Sequence, residues 1–175
     1  MLANDRFNYP DNHIEADNRL SWLLGRLDEK YGDNAIYVHL KRNDDETARS
    51  LVRRYYFGMI KAYRRDGVLL GLPEESDSRA VALDYCHTVN SNIELFLKYK
   101  TKKIVVDIGN IENDFTSFFE YIGAKGNVKA ALAEFNIKYN SSEQLGYIVK
   151  PGVIHRLFKK FKRLIVRFPE FIMNV

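Results

Sequence analysis

Cysteine occurs once in the 175 residues, at Cys86. A lone thiol excludes an internal disulfide framework and any multi-cysteine zinc site. His87 and His155 stand alone, and no pair of histidines has the spacing of metal ligands. Nor does any stretch approach the ~20 uninterrupted apolar residues of a membrane span. The segment from Met1 through Asp17 is polar and acidic rather than basic and then apolar, so no leader is read and the expected location is cytoplasmic. No internal repeat is found. The composition that remains, 46% hydrophobic and 13% aromatic, is too apolar for a disordered chain and long enough for one compact core.

The net charge of +4 is unevenly placed. Residues 1–149 hold 20 Lys and Arg against 22 Asp and Glu. Residues 150–175 hold seven basic residues against Glu170 alone. The basicity belongs to a tail, and nucleic acid is not an expected partner of the domain.

Residues 1–13 lack periodicity and read as an N-terminal arm. From Asn18, apolar residues at Leu20, Leu23, Leu24 and Leu27 recur at helical spacing up to Gly32. Ala35–Leu40 (AIYVHL) is a short β-rich run, read as a buried strand. Asp44 or Asp45 is placed to cap a following helix whose stripe runs from Ala48 to Tyr63, reaching about residue 64. A loop at 67–78 leads into a long helix, about 78–99. A second strand is expected at Lys102–Ile108 (KKIVVDI), a helix at Ile111–Ile122 ending at Gly123, and a short helix at Val128–Phe135.

This order predicts an α/β fold that is helix-rich, with a short parallel sheet and helical crossovers spanning 14–149. In such sheets ligands bind outside the carboxyl ends of the strands. Arg42 stands at that end of the first strand, and Ser50 lies about one turn inside the next helix. A guanidinium fork and a hydroxyl beside helix N-terminal amides suit a phosphate. The same spacing also fits an exposed Arg42 paired with Asp44, Asp45 or Glu46, and Ser50 on a solvated face.

The segment Tyr37-Val38-His39-Leu40-Lys41-Arg42-Asn43-Asp44-Asp45-Glu46-Thr47-Ala48-Arg49-Ser50 resembles the 3′-phosphate-binding element of sulfotransferases. That element is an apolar strand, then Arg-Asn-Pro-x-Asp, then a helix with Ser eight residues after the Arg. Ile104–Gly123 (IVVDIGNIENDFTSFFEYIG) is similar to a later strand, acidic turn and helix of the same family. The resemblance covers roughly residues 14–140. It implies an incomplete sulfotransferase-like three-layer fold of the P-loop type, with 3′-phosphoadenosine-5′-phosphosulfate as cofactor. It passes the 3′-phosphate to Arg42 and Ser50. The acceptor would be a hydroxyl or amine of a small molecule or carbohydrate.

Two departures stand out within the motif: Asp44 occupies the usual proline position and Glu46 the usual aspartate. The family's Pro-x-Ser-Gly-Thr-Thr cradle for the 5′-phosphosulfate does not occur, nor does G-x-x-x-x-G-K-S/T. Without those donors a transfer reaction loses electrostatic stabilisation commonly worth ~3–4 kcal/mol per donor. The family also places a base before its first helix. Here His13, Glu15 and Asp17 are available, with Glu15 the choice for a catalytic base. Glu15, Asp17 and Asn18, with Asn18 leading, also fit a cap for the following helix.

His39, inside the apolar strand, is read as structural, and Cys86 as buried and inert. Arg53, Arg54, Arg64 and Arg65 are read as a solvated helix face. The tail carries Ile154, Leu157, Phe158, Phe161, Leu164, Ile165 and Phe168 on one face of a basic amphipathic helix. That pattern fits docking on the domain itself or on a protein partner, and also peripheral contact with an anionic membrane. Three functions stay open: a sulfotransferase-type enzyme, a non-catalytic nucleotide-binding remnant, and a membrane- or partner-binding protein acting through 150–175.

Overall fold

The computed structural model describes residues 3–137, so the basic tail expected at 150–175 lies outside the described residues. The architecture is helix-rich α/β around a two-stranded parallel sheet. Strand β1 is Tyr37–Lys41 and β2 is Lys103–Asp107, with Tyr37 opposite Lys103 and Lys41 opposite Asp107. The helices are α1 (Leu24–Tyr31), α2 (Asp44–Arg53), α3 (Gly58–Lys61), α4 (Ser78–Leu97), α5 (Ile111–Tyr121) and α6 (Val128–Glu134).

The sheet is covered by different helices on its two faces. His39 and Tyr37 point to α4, where the Tyr37 ring meets Phe96 edge-on at 4.9 Å. Val106 points the other way and is buried, with α5 packed against β2. Period-two alternation makes this division, because adjacent side chains leave a strand on opposite faces. On β1 the residues between, Val38 and Leu40, remain exposed. The apolar strand of the sequence is therefore covered on one face only, which corrects its reading as a buried strand.

Helix α2 is capped by Asn43, whose side chain accepts from the Glu46 amide at 3.2 Å; neither Asp44 nor Asp45 is the cap. Those acids instead fill the first turn, where they favour the positive end of the helix dipole. The helix expected to run on to about residue 64 stops at Arg53. A turn follows, and Gly58 adopts φ +58°, a left-handed conformation that interrupts any continuous helix. The chain restarts as α3 and then passes into a π-helical turn, Ala62–Gly67. The apolar spacing survives this break, so Tyr55, Ile60 and Tyr63 still reach one core with Ala48, Leu51 and, from α4, Val81, Ala82, Tyr85 and Cys86.

Asp77 caps α4 by accepting from the amides of Arg79 and Ala80. The segment before α1 begins as a 3-10 turn, Asn18–Trp22, and its cap is Asp17 rather than Asn18. Arg19 holds the Asp17 carboxyl below the ordinary carboxylate range by hydrogen bonds from its side chain and its amide. No helix among the described residues is long and apolar enough to cross a membrane.

Candidate functional site

Beyond the carboxyl ends of β1 and β2 lies an open cleft of about 900 Å³. Three elements build it. The end of β1 and the start of α2 supply Lys41, Arg42, Asn43, Asp44 and Glu46. The second half of α4 supplies His87, Asn90, Ser91 and Glu94, and the turn after β2 supplies Asp107, Ile108 and Gly109. This is the crevice position at which open α/β sheets take their ligands.

Hydrogen bonds hold these walls in place. Asn90 donates to Asp44 Oδ1 at 2.9 Å, tying α4 to the first turn of α2. Lys41 Nζ meets Glu94 Oε1 at 3.1 Å, tying β1 to α4. At the end of β2 the Asp107 amide donates to Asp114 Oδ2 at 2.8 Å. The Asp107 carboxylate in turn accepts from the Gly109 amide at 2.7 Å, fixing the turn into α5.

Among the described residues the walls carry two cations, Lys41 and Arg42, against Asp44, Glu46, Glu94 and Asp107. Both cations are already engaged: Arg42 Nε donates to Glu46 Oε2 at 3.1 Å, one turn along α2. That pair is half exposed, and exposed i,i+4 pairs are worth only about 0.3–0.5 kcal/mol. The pair is therefore weak enough for Arg42 to exchange Glu46 for another oxygen acceptor, although the neighbouring carboxylates disfavour an anion there.

Of the residues singled out in the sequence, Arg42 lies on the cleft wall, and Ser50 and Glu15 do not. Ser50 sits one turn beyond Glu46, where its hydroxyl accepts from Arg54 Nη2 at 3.4 Å. Glu15 pairs with His13 at 3.0 Å. The His13 ring stacks on Tyr9, which lies beside Tyr31 in the last turn of α1. That turn is anchored near the amino ends of the strands, where Asp28 pairs with Lys100 and the Thr101 amide donates to Asp33 Oδ1 at 2.8 Å.

Sequence reasoning missed the contribution of α4. His87, Asn90, Ser91 and Glu94 repeat at i, i+3, i+4 and i+7, a polar stripe along a helix read for its apolar one. That stripe was the available signal. Arg64 was also misread: it is 6% exposed, with its guanidinium against the rings of Tyr55 and Tyr56, and so is no part of a solvated face. His39 is the buried residue of β1 while Val38 and Leu40 on either side are exposed, the reverse of a histidine alternating with buried apolar positions. Among the described residues, no group of three or more His, Cys, Asp or Glu is arranged to hold a metal ion. Comparison with protein-family models, with curated proteins and with solved structures gives no match to this chain.

Proposed function

We propose that this chain is a nucleotide-binding domain of incomplete sulfotransferase-like fold, taking a 3′-phosphorylated adenosine nucleotide in the cleft. Its ligand is 3′-phosphoadenosine-5′-phosphosulfate or the product adenosine 3′,5′-bisphosphate. One observation carries the reading: Arg42, the residue matching the family's phosphate-binding arginine, stands on the wall of the large crevice beyond the strand ends. A nucleotide needs a pocket of this order, since small-molecule sites span roughly 300–1,000 Å³.

Binding without turnover is the better-supported form. Sulfuryl transfer to a hydroxyl or amine needs donors on the 5′-phosphosulfate and a base on the acceptor. Glu15 is engaged with His13 and is not among the cleft walls. The sequence contains no Pro-x-Ser-Gly-Thr-Thr cradle.

Titration calorimetry with adenosine 3′,5′-bisphosphate tests the reading. Arg42→Ala should weaken binding at least about tenfold, as losing a charge-assisted contact does. Glu46→Gln should tighten it by releasing the guanidinium and removing a repelling charge. No detectable binding to the wild-type chain at millimolar ligand would remove the proposal. Sulfated product in a transfer assay would restore the enzyme reading over the binding one.

A further inference from the structure

We propose that the apolar stripe of the basic tail, residues 153–168, packs on the phenylalanine cluster of α5 and α6 in its own chain. Phe115 lies at the centre of that cluster, its ring 6.0 Å from Phe118, 6.3 Å from Phe119 and 5.2 Å from Phe135. Rings that meet in this way are the makings of a core. Yet no residue of α5 or α6 is buried. Phe115, Phe118 and Phe119 are half-buried, Phe135 is 46% exposed, and Ile137 just beyond it is 49% exposed. Helix α5 packs against β2 and α6, and those contacts leave the rings part-covered. A contiguous apolar surface of this kind marks a docking site.

The chain itself supplies the occupant. It leaves α6 through Phe135 and Ile137, so the connector to the stripe starts at the cluster. That connector, residues 138–152, is fifteen residues long. It reaches at most roughly 50 Å, against about 16 Å for the length of α5. A tether this short holds its end at an effective concentration on the order of millimolar. The stripe from Ile154 to Phe168 repeats at helical spacing and brings Phe158, Phe161 and Phe168 of its own to the contact.

Charge favours the same pairing. Segment 111–137 holds Glu112, Asp114, Glu120 and Glu134 against Lys125 and Lys129, whereas 150–175 holds seven basic residues against Glu170. Opposite signs on the two rims align the surfaces and disfavour other partners. One contact then takes two apolar surfaces out of water. Lipid taking the stripe would leave the cluster bare.

Amide hydrogen exchange on the full chain, read by mass spectrometry, tests the contact. Phe161→Asp changes the tail alone, and should speed exchange in α5 and α6 at least about tenfold while leaving α2 and α4 as they are. Phe135→Asp, on the opposing surface, should speed tryptic cleavage at residues 159–163 by at least about tenfold. Combining the two should add little to either, because each breaks the same contact. Should Phe135→Asp not fold, Phe161→Asp decides alone. Exchange in α5 and α6 unchanged by Phe161→Asp would overturn the proposal. So would tail protection that is lost on dilution together with a dimer mass, which makes a second copy the occupant. Tail protection that arises only on phosphatidylserine vesicles would also overturn it, and would give the stripe to lipid.

Discussion

Asn90 and Asp44 join α4 to α2 at the mouth of the cleft, amide nitrogen to carboxylate at 2.9 Å. The amide oxygen of Asn90 lies 3.4 Å from Nε2 of His39, so one side chain links both helices to the buried face of β1. Removing a partner from a buried polar group costs about 1–3 kcal/mol. Asn90→Leu, which keeps the bulk and removes both bonds, should lower urea stability by an amount in that range. An unchanged unfolding midpoint would show the link to be incidental.

His39 also gives the fold a pH dependence. Burial is the main force holding its imidazole below the ordinary value of 6.5, with Asn90 opposing it. The unfolded chain therefore binds this proton more readily than the folded one. The stability contributed is complete above about 6.5 and is lost as the pH falls through that value toward the lowered folded one. His39→Gln should flatten this limb in urea melts across the weakly acidic range. A slope that persists in the variant would assign it to other groups.

The Cys86 thiol is pushed up to about 11, first by burial and then by the charge of Asp44. Thiolate is the reactive form, so almost none is present at neutral pH. A thiol reagent should leave Cys86 unmodified in the native chain and label it fully in denaturant. Rapid labelling of the native chain would contradict the buried placement.

Leu40 and Ile60 give a paired test of packing. Ile60 is 1% exposed in the core, whereas Leu40 is 60% exposed on the uncovered face of β1. Ile60→Ala should cost about 2–5 kcal/mol, and Leu40→Ala should fall within about 0.5 kcal/mol of the parent. Equal losses would mean that something covers the Leu40 face.

Both strands, α4, α5 and α6 were legible in the sequence to within one or two residues, because short apolar runs and a long periodic stripe leave little choice. Helix α2 was legible at its start but not at its end. Gly58 offers no warning in a stripe whose apolar spacing continues unbroken to Tyr63. Arg64 shows the complementary limit. Composition places arginine at the surface, and only the stacking of Tyr55 and Tyr56 around its guanidinium, created by the turn after α2, draws it inward. The site divided in the same way. Arg42 followed from the strand's end, while the α4 wall depended on which side of a long helix faces the strand ends, and that is a tertiary fact.

The single tryptophan of the chain, Trp22, lies 6.0 Å from the Tyr63 ring and 6.2 Å from that of Tyr85. Its indole is thus a built-in optical reporter, close enough to collect excitation from both phenols while the core holds together. Loosening of α4 from the segment that carries Tyr63 would change its emission, so the molecule signals the state of its own centre without any attached dye.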